Sequence, residues 1–191
     1  METKIHSIVL SSGKPIPDKM VVTLQNPAIP GSVHVSYKLP GQPSMKSLGI
    51  LPVVDGVLVL PVKLIFLSYA REDFKAVEAF ADKLTRDGFL TWLDRKDIRP
   101  GDSWKTRIKR GMESSDHIVI FLSRKSVAKR GYVQVEMKQA FELQEYYPDG
   151  QRFIIPARLD EVVPPDRFED IAWVDLWEDD GYERLKDSLE C

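Results

Sequence analysis

The chain has 191 residues, 43% of them hydrophobic and 29% charged, with a formal net charge of −2. This length allows one α/β domain with a sizeable core and a small companion unit, and the composition is that of an ordinary globular protein. Positive and negative charges nearly balance, and neither half of the chain is basic enough to indicate nucleic acid as the main partner.

The single cysteine, Cys191, excludes a disulfide framework and a cysteine-based metal site, and it favours a reducing compartment. No apolar run approaches the ~20 residues that span a bilayer, and the first residues lack the apolar segment of a secretory signal. We therefore expect a cytoplasmic protein with neither a membrane nor a nucleic-acid partner.

Residues 1–62 predict a small antiparallel β unit. Short β-favouring runs alternate with turn-forming segments rich in proline, glycine and serine. The runs span residues 5–10, 21–25, 32–39 and 57–62. The dipeptide Asp55-Gly56 predicts a tight hairpin turn, and no helix is predicted.

A central strand and a helix open the second predicted domain, residues 63–191. Residues 64–67 read Leu-Ile-Phe-Leu, an unbroken apolar run typical of a strand that is buried on both faces of a parallel sheet. Glu72 and Asp73 then supply an acidic first turn and an N-cap. Apolar residues follow at helical spacing, namely Phe74, Val77, Phe80, Ala81 and Leu84.

Strands and helices alternate over the remainder of this domain. Further strands are predicted at residues 89–93, 117–122, 153–155 and 171–176, and helices begin near residues 104, 131 and 182. The helix that begins near residue 104 presents Trp104, Ile108 and Met112 on one face. Together these elements predict a flavodoxin-like, doubly wound, five-stranded parallel sheet of order 2-1-3-4-5.

Several common site types are absent from the sequence. Neither a phosphate-binding Gly-x-x-x-x-Gly-Lys loop, nor a dinucleotide-binding Gly-x-Gly-x-x-Gly loop, nor a Gly-x-Ser-x-Gly elbow occurs. The three histidines are scattered singly, which argues against a zinc site. A phosphoacceptor receiver is excluded because Ser68 and Ser123, rather than carboxylates, end the first and third strands.

Three segments of the sequence resemble a bacterial TIR (Toll/interleukin-1 receptor) domain over residues 63–191. Residues 65–73, Ile-Phe-Leu-Ser-Tyr-Ala-Arg-Glu-Asp, are similar to the first box of the family. Residues 88–104 are similar to its second strand and the following BB loop. Residues 114–126, with Ser-Ser-Asp before the third strand and Leu-Ser-Arg-Lys-Ser after it, are similar to its third box.

The resemblance implies an enzyme that cleaves NAD+ with a glutamate on the helix after the third strand. Residues 132–136 read Tyr-Val-Gln-Val-Glu and match the aromatic-x-x-x-Glu pattern of such enzymes, with tyrosine where tryptophan is common. Glu136 is therefore the implied catalytic residue. The implied substrate-binding residues end the first strand, form the BB loop or precede the glutamate, and they are Ser68, Tyr69, Ala70, Arg71, Asp94, Asp97, Arg99, Trp104 and Tyr132.

The roles of several of these residues stay open. Arg71 suits either a fork donor to a phosphate of the dinucleotide or an ordinary solvated position. Trp104 and Tyr132 suit either stacking on a ring of the substrate or packing. The BB-loop contact of the family is often acidic, whereas the nearest match here is Arg99 beside Asp97.

The chemistry agrees with a lone carboxylate. The nicotinamide ring of NAD+ is a positively charged pyridinium, and it departs as a neutral molecule. The leaving group therefore needs no acid to protonate it, unlike the leaving group in ordinary glycoside hydrolysis. One carboxylate that binds the ribose hydroxyls and stabilises an oxocarbenium-like transition state is enough. We expect NAD+ as substrate and no metal or other cofactor.

We therefore predict an NAD+ glycohydrolase that yields nicotinamide and ADP-ribose or a cyclic isomer. The resemblance implies activation by TIR–TIR self-association through the 94–104 loop, head-to-tail growth into filaments, and a role as a bacterial defence or signalling effector. Two alternatives are a non-catalytic TIR scaffold and a virulence factor that acts on host signalling. The β unit of residues 1–62 is expected to be an extension without chemistry of its own, and the bracing or control of the assembly stays open as its role.

Overall fold

The computed structural model describes residues 4–16, 20–26, 29–38, 44–93, 104–128, 141–142 and 153–190, with only the backbone for residues 104–107. The chain divides into two units, residues 1–63 and residues 64–191. In its described part, each unit contains one five-stranded sheet. Among the described helices, none combines the length and the apolar character needed to cross a membrane.

The sheet of the first unit is mixed. Its strands are β1 (Ser7–Leu10), β2 (Val21–Gln25), β3 (Ser32–Lys38), β4 (Lys46–Val54) and β5 (Val57–Leu60), in the order β1-β5-β4-β3-β2. The pairs among β2, β3, β4 and β5 are antiparallel, as predicted. The prediction of a wholly antiparallel unit is wrong for β1, which pairs parallel to β5 because the chain crosses to the far edge of the sheet after β1.

The predicted hairpin at Asp55-Gly56 is confirmed. Val54 pairs with Val57 across the turn, and both turn residues have positive φ, 50° for Asp55 and 77° for Gly56. Such angles are those of the tight turns whose twist matches that of the strands they join. The backbone carbonyl of Gly56 also accepts a hydrogen bond of 2.7 Å from the amide of His6, which fixes the start of β1 against the turn.

The longest described strand, β4, is absent from the sequence prediction. Its run contains Gly49, at φ 78°, and Pro52, two residues that usually weaken or end a strand. The pairing of β4 with β3 shifts register between Val35 and Ser36, opposite the segment that contains Gly49. A β-bulge of this kind accommodates the glycine without ending the strand.

The second unit is an α/β domain with an all-parallel sheet. Its elements are β6 (Leu64–Ser68), α1 (Phe74–Arg86), β7 (Leu90–Leu93), α2 (Trp104–Ser114), β8 (His117–Leu122), α3 (Arg124–Ala128), β9 (Ile154–Arg158), β10 (Val174–Asp175) and α4 (Gly181–Glu190). The strand order β10-β9-β8-β6-β7 confirms the predicted doubly wound order 2-1-3-4-5. The helix predicted near residues 131–147 falls outside the described residues except for Phe141 and Glu142, which are helical.

The two faces of this sheet carry separate apolar layers. Every residue of β6 and of β8 is buried. Alternate side chains such as Ile65 and Phe66 therefore enter opposite layers. One layer joins α1 and α4 to the sheet, whereas the other joins α2 through Ile108 and Met112, which are fully buried as the helical spacing predicts.

Glycine at position 111 allows α2 to approach the sheet closely. A Cβ at Gly111 would lie 3.1 Å from the ring of Phe66 and 3.2 Å from that of Trp92. These two rings stack with centroids 4.8 Å apart. The helix therefore packs directly on an aromatic pair that spans β6 and β7.

The amino-terminal edge of this sheet is held by a buried carboxylate. Asp116, which precedes β8, accepts a hydrogen bond of 2.7 Å from the amide of Leu64 through Oδ2, and its own amide donates to the Leu64 carbonyl at 2.7 Å. These two bonds join the first residue of β6 to the approach to β8. They set the register of the two central strands.

Candidate active site

The carboxyl ends of β6 and β8 form the point where the strand order reverses. From β6 the chain crosses through α1 to β7 on one side, and later through α2 to β8 on the other side. The two helices accordingly pack on opposite faces of the sheet. The loops that follow β6 and β8 diverge there, and open α/β sheets bind ligands in the crevice between such loops.

The four residues predicted to line the site after β6 differ in exposure. Ser68, Tyr69 and Ala70 are 3%, 6% and 2% exposed, so they form the buried base of this region. Tyr69 enters the layer of α1, with its ring 6.1 Å from that of Phe74, whereas Ala70 enters the layer of α2. Arg71, which opens a 3-10 turn at Arg71–Asp73, is exposed and is the cation of this group at the surface.

Asp73 links the two loops that flank the site. The sequence predicts this residue as the N-cap of α1, but its side chain makes no capping hydrogen bond. Instead, the buried Asp73 carboxylate accepts a hydrogen bond of 2.6 Å from the Ser123 hydroxyl at the end of β8. The loop after the first central strand is thereby tied to the loop after the second, 50 residues later in the chain.

Ser123 is held by a reciprocal cap of α3. Its hydroxyl oxygen accepts a hydrogen bond of 3.0 Å from the Ser126 amide, and its amide donates to the Ser126 hydroxyl oxygen at 2.7 Å. This is the hydrogen-bond pattern of a capping box, with serine in the position where glutamate is usual. The sequence signal was Ser-x-x-Ser directly after a buried strand, and neither the cap nor α3 was predicted from it.

A second polar group lies at the carboxyl end of β9. The guanidinium of Arg158 donates to both oxygens of Asp175 and, at 2.7 Å, to the carbonyl of Val162. It lies between two half-exposed rings, 5.1 Å from the centroid of Trp173 and 5.0 Å from that of Trp177. The hydrogen bonds to Asp175 raise the pKa of Arg158. The same ion pair holds β10 against β9.

The other predicted site residues lie outside the described residues or are described only in part. Outside them are Glu136, Tyr132, Asp94, Asp97 and Arg99, together with the loop that contains the last three. Trp104 is the first residue of α2, and its backbone alone is described. The described part of the site is therefore its base and the link between its loops.

Metal binding finds no support in the described part of the chain. No group of three or more histidine, cysteine, aspartate or glutamate side chains among those residues is arranged to hold a metal ion.

Comparisons with known proteins agree with the fold of the second unit. The chain is 37% identical over 94 residues to the NAD(+) hydrolase PdTIR of Paracoccus denitrificans (strain Pd 1222), an alignment that covers 48% of this chain and 30% of that protein. It thus spans less than a third of that relative. Among solved structures, the TIR domain of the Toll-related receptor TRR-2 from Hydra magnipapillata aligns with 66% of this chain and 98% of its own, with a TM-score of 0.54 and 18% identity, which supports the fold alone.

A family model described as TIR domain matches residues 65–187, which is nearly the whole second unit. This match begins within β6 and ends within α4, so it includes all five parallel strands. The chain therefore belongs to the TIR domain family.

Proposed function

We propose that the chain is an NAD+ hydrolase, which releases nicotinamide and leaves ADP-ribose or a cyclic isomer of it. The observation that carries this proposal is the 37% identity, over 94 residues, to a protein named as an NAD(+) hydrolase. Membership of the TIR family and the divergence of loops at the carboxyl ends of β6 and β8 support it. In this proposal NAD+ is the substrate, and no metal or other cofactor takes part.

Glu136 is the proposed catalytic residue. Its carboxylate would bind the ribose hydroxyls and stabilise the positive charge that develops on the ribose as neutral nicotinamide departs. A preorganised group of this kind is commonly worth ~3 kcal/mol or more in the transition state. The exposed guanidinium of Arg71, at the end of β6, is the proposed partner of a substrate phosphate.

The link between Asp73 and Ser123 has a supporting role in this proposal. Its assigned part is to hold together the loops after β6 and β8, and no contact with the ribose or the leaving group is assigned to it. A site whose loops are fixed before the substrate binds loses less entropy on reaching the reactive arrangement. We assign both residues a positioning role.

Self-association of TIR units completes the proposed site. The 94–104 loop of one chain would contribute Asp94, Asp97, Arg99 and Trp104 to the pocket of the next, and Tyr132 would line it beside Glu136. Contacts of this head-to-tail kind do not close and extend into filaments. The proposed setting is the bacterial cytoplasm, where the enzyme acts as a signalling or defence effector, and a single cysteine suits such a reducing compartment.

The experiment compares nicotinamide release by the purified chain with that by Glu136→Gln, over a wide range of protein concentration. Glutamine keeps the size of the side chain and removes its charge, so we expect at least a ~100-fold loss of activity with an unchanged melting temperature. Activity per chain should rise with protein concentration in the wild type, because assembly completes the site.

Glu142→Gln is the matched control, since it removes an exposed carboxylate from the same part of the chain. We expect it to release nicotinamide at the wild-type rate. Equal activity of Glu136→Gln and the wild type would remove Glu136 from its role. If neither protein releases nicotinamide at any concentration, the chain is a non-catalytic scaffold instead.

A further inference from the structure

One edge of the first sheet is unusually bare. Strand β2 lies at the end of the order β1-β5-β4-β3-β2, and in the described part of the chain nothing pairs with its far side. Its side chains are largely exposed, with Val21 at 54% and Leu24 at 37%. From Met20 to Asn26 no residue is charged and none is proline, so the strand lacks two of the features that prevent edge pairing.

The opposite edge of the same sheet is covered. After β1 the chain turns back, and Pro15 forms an antiparallel bridge with Val9. The amide of Leu10 donates to the carbonyl of Lys14 at 2.8 Å on this side. The segment after β1 therefore covers the β1 edge, and the proline at its end cannot donate a backbone hydrogen bond to a further strand. Among the described residues, the β2 edge has no such cover.

We propose that β2 pairs antiparallel with β2 of a second copy of this chain, so that two first-unit sheets join into one. The two-fold axis passes at Thr23, which then faces Thr23 of the second copy. Val22 faces Leu24 of the second copy, and Val21 faces Gln25. This inference concerns the first unit alone and does not depend on the proposed NAD+ hydrolysis.

The sequence of β2 is self-complementary in this arrangement. Val22 and Leu24 pair with Tyr37 and Val35 of β3, whose side chains are buried, so the new contacts extend the apolar face of the sheet. Thr23 pairs with Ser36 on the other face, and threonine opposite threonine is a favourable cross-strand pair. A charge at the two-fold axis would face the same charge of the second copy, and a strand without charged residues avoids that repulsion.

The partner is a second copy rather than a strand of different sequence because nothing in β2 selects by charge. In strand addition a foreign strand is selected through pockets for its alternate side chains, while the main-chain hydrogen bonds supply affinity. Here the complementarity is of the strand with itself, through the Val22–Leu24 and Thr23–Thr23 pairs. Backbone hydrogen bonds at the free edge supply the remaining interaction.

Disulfide trapping in the full-length chain tests this pairing. In a Cys191→Ser background, Thr23→Cys would bring two thiols face to face, within the Cα separation of about 4.4–6.8 Å that a disulfide requires. Ser36→Cys is the matched control, on the same face one strand inward. Its two copies would lie about 14 Å apart, three strand spacings, which is too far for a disulfide.

Under mild oxidation we expect a covalent dimer from Thr23→Cys and little from Ser36→Cys. Equal yields from the two variants, whether high or low, would overturn the proposal. Circular dichroism of both variants verifies that they are folded, and the exposed position of Thr23 favours this.

A charge introduced at the axis provides the second measurement. Thr23→Lys and Thr23→Glu each place like charges opposite each other, so each alone should self-associate at least roughly ten-fold more weakly through this edge. A mixture of the two should form the heterodimer. The readout is the exchange of subunits between differently labelled chains. Failure of the mixture to associate more strongly than either variant alone would contradict the two-fold pairing.

Discussion

Single residues carry the tightest constraints in both units, and Gly56 is the clearest case in the first. Its φ of 77° lies in the left-handed region, and a Cβ at this position would overlap the ring of His6. Alanine there meets two separate obstacles, an unfavourable backbone conformation and a side-chain collision.

We predict that Gly56→Ala lowers the melting temperature more than Gly13→Ala does. Gly13 has nearly the same φ, 78°, but a Cβ there would meet no atom within 4 Å. Gly13→Ala therefore has the backbone cost, of ~1 kcal/mol or more, but no collision of the new Cβ with another side chain. Equal losses of stability in thermal unfolding would show that the His6 ring moves aside freely.

The buried pair of Asp73 and Ser123 gives a second prediction at this scale. Ser123→Ala removes the donor to a carboxylate that is 7% exposed, and it also removes the acceptor for the Ser126 amide. Leaving a buried polar group without its partner costs about 1–3 kcal/mol. We expect a fall of that size in the free energy of unfolding, measured by denaturant titration.

Ser188→Ala is the control, because that exposed hydroxyl donates only to a carbonyl of its own helix at 2.8 Å. Its effect on the free energy of unfolding should be small. Asp73→Ala combined with Ser123→Ala should cost less than the sum of the two single changes, since the pair acts as a unit. Additive losses would show that the two side chains are not coupled.

At the scale of elements, α1 and α4 are joined by a polar contact at their ends. The hydroxyl of Tyr182 donates to Asp87 at 2.7 Å, and the Lys83 ammonium lies 3.5 Å from the centroid of the Tyr182 ring. Lys186 is 3.9 Å from the same carboxylate. Burial and, after it, the hydrogen bond to Asp87 raise the pKa of Tyr182 above its ordinary value.

This raised pKa predicts a loss of stability in alkali. Above about pH 10 the tyrosine of the unfolded chain has lost its proton while that of the folded chain retains it. The folded state then binds more protons than the unfolded state, so the free energy of unfolding falls as pH rises. The stability that Tyr182 contributes is complete only below about pH 10. Tyr182→Phe should be less stable than the wild type near neutral pH and should lose less stability above pH 10.

Melting temperatures of both proteins, recorded from neutral pH to strong alkali, measure this difference. The comparison isolates the contribution of the Tyr182 hydroxyl, because that group is the one difference between the two proteins. Parallel curves for the two proteins would assign the alkaline loss to other groups.

Elements whose own residues determine them were predictable from the sequence. Strand β8 was predicted with its observed bounds, residues 117–122. Both faces of this strand are buried, so its sequence is a nearly continuous apolar run that is easy to recognise. The strand order was predictable from alternation and from the rules of parallel crossovers. By contrast, β4 was missed because its glycine and proline are accommodated by the register shift against β3, and β1 was assigned the wrong pairing because its partner comes much later in the chain.

Strand β10 and the site illustrate another kind of dependence on distant residues. Residues 171–176 were predicted as a strand, but only Val174–Asp175 pair with β9, where the Asp175 side chain meets Arg158. Similarly, the role of Asp73 depends on Ser123 in a different loop. A local pattern indicates an N-cap at Asp73, and no local pattern indicates a partner 50 residues away.

At the scale of the whole molecule, two different patterns of sequence produced two units. The second unit matches the TIR family from residue 65 to residue 187, while the first unit lies outside that match. Self-association is proposed separately for each, through the 94–104 loop in one and through β2 in the other. Two contacts that join the same pair of copies would add avidity, because the second contact would form at a high effective concentration.

The two sheets also differ in the stretch of chain that must be closed to form them. The β4–β5 turn pairs Val54 with Val57, whereas the parallel sheet pairs Leu64 with Leu90 and Ile65 with His117. Long loops cost more entropy to close, and proteins rich in distant pairings fold more slowly.

We expect amides of β4 and β5 to gain protection earlier than those of β6 and β8 in pulse-labelled hydrogen exchange during refolding. Simultaneous protection of the two sets would contradict this order. Since the hairpin precedes the sheet along the chain, it would also emerge first from the ribosome, and its folding need not wait for the residues that follow.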